Sequence, residues 1–487
     1  MKRRDFLFGG AAAAAALTAP GFAQSAIRSL PLIPMTDLTG GISARLPLSL
    51  MSGTHDFGTG VASDTLGING GYLGPVLRVK QGQELPFDVK NTIGDTTTIH
   101  WHGLHIPGDV DGGPHQEIAH GDVWSPNVSI VQSASMNWFH SHMHGKTAQQ
   151  TYNGLAGVLL VEDDASLAAD LPKTYGVDDF TLILQDKAFD AQGKMAYTLS
   201  AQTFEDGFQA DNLIVNGALA PVAQTVPTGL VRLRILNACN ARFLRLSLAT
   251  GPVTVIASDG GFLASPVDSE SILMSPGERY EILVDMGAAE RNALNVDLNG
   301  NNGFWENLFG GKATATALTL TRSDAVGFTG SMPKRLANLA PADASAATAT
   351  RSFELQMNVG ADLTALAMDW ENFCGNAGAM AINGLPMKMD RIDETVRKGD
   401  TEIWRISVDD MLHPFHIHGC SFRILNQNGG PPPAYAQGWK DMVHVEEGWS
   451  EVLVKFDHAA PADAPYMYHC HILEHEDCGM MGQFTVG

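Results

Sequence analysis

Four His-x-His pairs constrain this chain more than anything else in it: His100/His102, His140/His142, His416/His418 and His469/His471. A β-strand sends alternate side chains to opposite faces, so both imidazoles of such a pair leave one face of a strand. A single pair is common on protein surfaces. Four pairs supply eight imidazoles, far more than chance clustering provides. All 17 histidines lie at or before His144 or at or after His413. The site is therefore expected from the two ends of the sequence, with the histidine-free middle outside its ligand set.

The fourth pair brackets Cys470, within Tyr468-His469-Cys470-His471-Ile472-Leu473-Glu474-His475-Glu476-Asp477-Cys478-Gly479-Met480. On a strand, Cys470 faces away from His469 and His471. A thiolate with imidazoles and a weak thioether is the ligand set of a blue-copper electron-transfer site. His413, His475 and Met480 complete a two-His, one-Cys, one-Met set with Cys470. The segment would then join two metal centres, one per face, through a few covalent bonds.

The rest of the chain reads as β-sandwich. From about residue 45 onward, short alternating segments are separated by Gly, Pro, Asn and Asp, as in Val76-Leu77-Arg78-Val79-Lys80 and Glu451-Val452-Leu453-Val454-Lys455-Phe456. A weak repeat runs through them. Ile68-Asn69-Gly70, Val215-Asn216-Gly217 and Ile382-Asn383-Gly384 each precede a proline and then a strand-like phrase: Leu85–Asn91, Val231–Asn237 and Thr401–Ser407. A chain of 487 residues is too long for one core. Three copies predict three homologous sandwiches at about 45–165, 175–325 and 350–487, with 335–350 as a linker.

Lys2-Arg3-Arg4-Asp5-Phe6-Leu7 is a twin-arginine start, followed by an apolar stretch to about Leu17 and small residues that suit cleavage after Ala23. Residues 1–23 are expected to be a signal peptide read by the twin-arginine translocase, which places the mature chain in the periplasm. The stretch is too short and Ala-rich for a membrane span, and no other segment is long and apolar enough. The mature form is expected to be a soluble monomer. A net charge of −22 argues against a nucleic-acid partner and suits a cationic or neutral small substrate. With Cys470 assigned to metal, Cys239, Cys374, Cys420 and Cys478 remain. Export permits disulfides, so a Cys420–Cys478 bridge and free buried thiols both stay open.

His100-Trp101-His102-Gly103, His140-Ser141-His142, His413-Pro414-Phe415-His416-Ile417-His418-Gly419 and the Cys470 segment together resemble, in order, the four copper motifs of the three-domain multicopper oxidases. The resemblance spans essentially the whole mature chain. Val110-Asp111-Gly112-Gly113-Pro114, His144-Gly145-Lys146-Thr147, Gly438-Trp439-Lys440-Asp441 and His475-Glu476-Asp477 are locally similar to the bacterial copper efflux oxidase (cuprous oxidase) and bacterial laccase branch.

The resemblance implies an all-β chain of three consecutive cupredoxin-like Greek-key β-sandwich domains, and four copper ions. Type 1 copper would take His413, Cys470, His475 and Met480, and type 2 copper would take His100 and His416. The type 3 pair would take His102, His140 and His471 on one ion and His142, His418 and His469 on the other. This trinuclear cluster would lie between domains one and three, with the middle domain as spacer and scaffold. His144 has no ligand role in the family.

The implied reaction is the four-electron reduction of dioxygen to two waters, with electrons passing from Cys470 to His469 and His471. Asp111 and Glu476 match family carboxylates that relay protons. The reductant is cuprous ion, in a copper-tolerance role, or phenols and aromatic amines, as in laccases. Met357, Asp362, Asp409 and Met411 match a substrate-copper site, with thioethers for the soft ion and carboxylates for its charge. The Met-rich insert of the efflux branch is missing: residues 363–390 hold only Met368, Met380, Met387 and Met389. That departure leaves room for bulky phenols, with Trp370 and Phe373 as candidate lining. A copper-free exported scaffold, such as relatives acting in cell division, would lack ligands, and none is lacking here.

Overall fold

Asn69, Asn216 and Asn383 adopt left-handed backbone, with φ of 57°, 51° and 54°. Asparagine tolerates this region because its short side chain bonds locally. The three residues make the same contacts. Each exchanges hydrogen bonds with one residue of an earlier strand, donating its backbone N–H and accepting through its side-chain oxygen: Ser49, Ile183 and Glu354 respectively. Each side-chain amide also donates to the carbonyl two residues before that partner, on Pro47, Thr181 or Ser352. The repeated phrase in the sequence is a repeated latch, closing the same corner of three sandwiches.

The computed structural model describes residues 27–298, 314–357, 380–408, 411–446 and 448–487. The expected signal peptide, Cys374, Asp362, Asp409, Met368, Trp370 and Phe373 lie outside the described residues. The chain is all-β, built as three cupredoxin-like sandwiches. In the first, one sheet orders Met35–Asp37, Val76–Lys80, Ala156–Glu162, Ser135–His140 and His100–His102, and packs on a sheet centred on Leu46–His55 and Glu84–Thr92. In the third, one sheet orders Glu394–Val396, Met481–Val486, Tyr466–Cys470, His413–Ile417 and Met442–Val445. Its partner sheet contains Thr401–Val408 and Gly448–Lys455. The middle sandwich pairs a sheet holding Asp179–Phe189, Leu230–Asn237 and Arg279–Asp285 with one holding Val222–Thr228 and Thr314–Val326.

Each sandwich has its own apolar core, and a further buried cluster of Val76, Met136, Trp138, Ala156, Ile183 and Leu236 joins the first to the second. In the third core, Trp404 is fully buried among the rings of Phe353, Phe456, Tyr468 and Phe484. Two short strands precede residue 45, where strand structure was expected to begin. Met35–Asp37 joins the first sandwich and Arg28–Ser29 pairs with Val222–Thr228 of the second. Two or three residues flanked by Pro31 and Pro34 carry no alternation that sequence reading can detect. No described helix is long and apolar enough to cross a membrane.

Candidate metal centres

Strand register aims the histidines. His100 pairs with His140 across adjacent strands, and His416 pairs with His469, so each pair projects from one face. Cys470 pairs with Phe415 and points the other way, into the third core. The first and third sandwiches meet with His100 stacked on His418 and His102 on His416, each at 3.8 Å between ring centroids. The eight imidazoles are all buried in this seam.

Hydrogen bonds fix the tautomers of six of them. Nδ1 of His100, His140, His416 and His469 lies 2.8–3.0 Å from the carbonyls of Asp111, Ser141, Asp441 and Cys470. A carbonyl only accepts, so each Nδ1 carries the proton and each Nε2 presents a lone pair inward. Nδ1 of His418 donates to the Asp111 carboxylate at 2.7 Å. His102 is reversed: its Nε2 lies 3.2 Å from Asp441 Oδ1, leaving Nδ1 inward. Nε2 of His100, His140 and His416, Nδ1 of His102 and both nitrogens of His471 have no hydrogen-bond partner.

A metal fits this arrangement. Nε2 of His418 and Nε2 of His469 face each other at 3.2 Å, and both bear lone pairs because both Nδ1 atoms donate outward. Nε2 of His142 lies 3.2 Å from the same His469 atom. Bare acceptors as close as those of His418 and His469 repel in a dry pocket unless a cation lies between them. Two nitrogens about 2 Å from one tetrahedral ion sit about 3.3 Å apart. Burial, with the neighbouring imidazoles, holds His102, His140, His416 and His418 well below the usual histidine range. Burial also pushes His471 down to about 3. Neutral imidazole is the form that binds metal.

The ligand atoms of His142, His418 and His469 form one compact group, all within 4.8 Å of one another. Two more are His100/His102/His140 and His100/His416/His418. His471 joins through ring contacts, 5.1 Å from His102 and 5.6 Å from His140. The structure thus brings together all eight expected residues, with His100 shared between two groups.

His413, Cys470 and His475 form a separate buried group. Nδ1 of His413 lies 3.4 Å and Nδ1 of His475 3.8 Å from Cys470 Sγ, which also accepts the Ile472 N–H at 3.4 Å. His475 sits in the short helix Leu473–Asp477 and directs Nε2 at the Glu205 carbonyl of the middle sandwich, 3.2 Å away. Met480 is fully buried in the same core and accepts the Cys470 N–H through its carbonyl.

The two expected carboxylates flank the seam. Asp111 Oδ1 has no partner, while Oδ2 holds His418. Glu476 lies 3.3 Å from His142 Nδ1 and 3.1 Å from His469 Nδ1 without hydrogen-bond alignment, so both its oxygens keep open lone pairs. Burial alone would raise the Glu476 carboxyl; His142 and His469 reverse this and hold it low. His144 is half-buried, and burial lowers its pKa. Met357 and Met411 are partly buried and pack against the third core, which also contains Cys470 and Met480.

Cys420 and Cys239 are free thiols, whereas Cys478 is disulfide-bonded. The Cys420–Cys478 bridge is therefore excluded. Cys420 follows the His416/His418 strand in sequence but points its sulfur back toward the Ile417 carbonyl.

Arg279, Asp259 and Gly277, all from the middle sandwich, carry no local mark that would announce them. Arg279 grips Asp441 through two hydrogen bonds of 2.6 Å, and a Cβ on Gly277 would lie 3.2 Å from the His471 ring. Asp477 caps the helix Thr147–Tyr152, accepting from the N–H groups of Thr147 and Ala148.

Family models described as multicopper oxidase match residues 50–166, 140–316 and 354–487. The chain is 36% identical to the cell division protein FtsP of Sodalis glossinidius over 497 aligned residues, covering 100% of this chain and 98% of that protein. It is 34% identical to the multicopper oxidase mco of Staphylococcus aureus, covering 90% of this chain and 88% of that one. The laccase-like multi-copper oxidase CueO of Ochrobactrum sp., which has oxidase activity towards lignin model compounds and lignosulfonate, superposes with a TM-score of 0.86. That structure is 40% identical and covers 94% of this chain and 100% of its own.

Proposed function

This chain belongs to the multicopper oxidase family, and from that premise we propose that it oxidises cuprous ion, phenols or aromatic amines one electron at a time and reduces dioxygen to two waters. The observation that carries this reading is the pair of bare, facing Nε2 atoms of His418 and His469, which calls for a cation. His413, Cys470, His475 and Met480 would hold type 1 copper, and His100 and His416 type 2. His102, His140 and His471, with His142, His418 and His469, would hold the type 3 pair, four ions in all.

Bound copper would supply the one-electron couple and the place where dioxygen is held. The chain supplies the rest. Cys470 links covalently to His469 and His471, so one strand end joins the two centres. Asp111 and Glu476 carry open lone pairs beside the imidazoles and can hand four protons, one per electron, to the oxygen atoms. Burial excludes bulk water. Twin-arginine export to the periplasm, a monomeric state and a part in copper tolerance complete this reading.

Identity to FtsP over the full chain supports a second reading, a part in cell division. The complete set of buried ligands favours the oxidase. Oxygen uptake by the copper-loaded protein tests both readings, with cuprous ion and a bulky phenol compared in wild type and in Met411→Leu with Asp409→Ala. Selective loss of the cuprous activity makes those residues its substrate site. Dominant phenol turnover untouched by the substitutions makes the protein a laccase. No uptake with either reductant overturns the oxidase reading.

A further inference from the structure

Resting on that copper reading, we propose that Arg279 of the middle sandwich is a positioning residue for the cluster: through Asp441 it fixes which nitrogen of His102 faces the metal and holds His102 against His416.

Arg279 is fully buried and uses its whole fork. Two donors take the two oxygens of Asp441 in the third sandwich, each at 2.6 Å. Nε donates to the Met136 carbonyl of the first sandwich at 2.8 Å. The remaining two donors reach the carbonyls of Gly277 and Asp259 in its own sandwich, at 3.2 and 3.3 Å. All five N–H groups are therefore occupied, and one side chain ties three sandwiches together. Lysine, a point charge with no planar fork, cannot reproduce this.

Asp441 then orients two imidazoles. With both oxygens already accepting from Arg279, its carboxylate can only accept from His102 Nε2, 3.2 Å away. This sets the tautomer that turns His102 Nδ1 inward, opposite to His100, His140, His416, His418 and His469. The Asp441 carbonyl accepts from His416 Nδ1 at 2.8 Å. Those two rings lie parallel, 8° apart. The close approach explains Gly103, which has φ of +88°: a Cβ there would lie 2.6 Å from Arg279 and 2.7 Å from Asp441. Lys440 adds a second anchor, with its ammonium 2.9 Å from Asp259 and 2.5 Å from Glu278. The middle sandwich is more than a spacer: it reaches the ligands by this route.

The test compares full-length wild type with Arg279→Met, Arg279→Lys and Asp441→Asn. Two readouts besides turnover are copper bound per chain and the ¹⁵N shifts of the His102 imidazole, assigned by His102→Gln. The visible thiolate–copper absorption of the Cys470 site serves as an internal control for folding. Arg279→Met should keep that absorption, lower copper affinity at the cluster by about 10–100-fold, and mix the His102 tautomers. Arg279→Lys should restore neither property fully. Unchanged cluster affinity and an unchanged tautomer in Arg279→Met would overturn the proposal. If that variant loses the visible absorption, Asp441→Asn, which keeps side-chain shape, decides by the same readouts. If wild type takes up no copper, the oxidase reading fails, and the His102 tautomer in wild type against Arg279→Met judges the positioning role alone.

Discussion

Asp111 and His418 stand on opposite sides of the seam between the first and third sandwiches, joined by a 2.7 Å hydrogen bond from Nδ1 to Oδ2. The second Asp111 oxygen is buried and has no partner. One carboxylate thus orients an imidazole and keeps a free site for a proton. Asp111→Asn should preserve the packing and lower kcat for oxygen reduction by about 10²-fold or more, the usual effect of losing a proton-transfer group. Single-turnover reduction of the Cys470 centre should not change. Steady-state oxygen uptake beside stopped-flow reduction of the visible band checks this, and equal slowing of both would show that Asp111 acts elsewhere.

Copper removal should destabilise the molecule. The inward nitrogens of His100, His102, His140, His416 and His471 have no other partner, so the metal-free state keeps buried polar atoms unmet. A ligand bound only by the folded state adds about 2.7 kcal/mol at one hundred times its Kd. Scanning calorimetry with and without a chelator should give a lower Tm after copper removal, restored by re-addition. An identical Tm in both states would mean that the seam is not a metal site.

Lys187 gives a pH signature from outside the candidate ligand set. Its ammonium is buried, donates to the Tyr152 carbonyl and lies 3.7 Å from that ring's centroid. Burial pulls it down to about 7, against the opposing pull of Asp186. Its unfolded value is about 10.4. Between the two, the unfolded chain holds a proton that the folded chain has released, so stability rises with pH across that window. The contribution is fully present above about 10.4 and lost as pH falls to about 7, a swing of about 5 kcal/mol. Lys187→Met should flatten this rise. Denaturation midpoints of both proteins at pH 7 and pH 10 check it, and an equal difference at both pH values would refute it.

Trp404→Ala should cost about 3–5 kcal/mol, the usual cost of emptying a buried aromatic site. The ring is wholly enclosed by four aromatic neighbours on both sheets of the third sandwich. Thermal unfolding followed by the visible absorption of the Cys470 site should show that band lost at lower temperature.

The sequence exposed the ligands because strand period and histidine spacing are the same statement: His100 and His102 share a face whatever else the chain does. The repeat was legible for a similar reason, since a left-handed Asn before Gly leaves a local mark. Arg279 was not legible. It is a lone arginine opening a strand, and its partners Met136 and Asp441 lie 143 and 162 residues away. Lys440 and Asp441 stood within a recognised phrase, yet nothing local says that one anchors on Glu278 and the other orients His102. Proximity along the chain also misleads: Cys420 and Cys478 both lie near ligands, and only the second is bridged.

The three asparagine latches have one further consequence. They mark equivalent points in three units, two of which carry histidines and one of which carries none. The same scaffold therefore closes its corner with or without ligands aboard. The middle unit is in this sense a blank page in the same binding. Histidines written at its matching strand ends should leave its latch shut, making it a natural place to build a new centre.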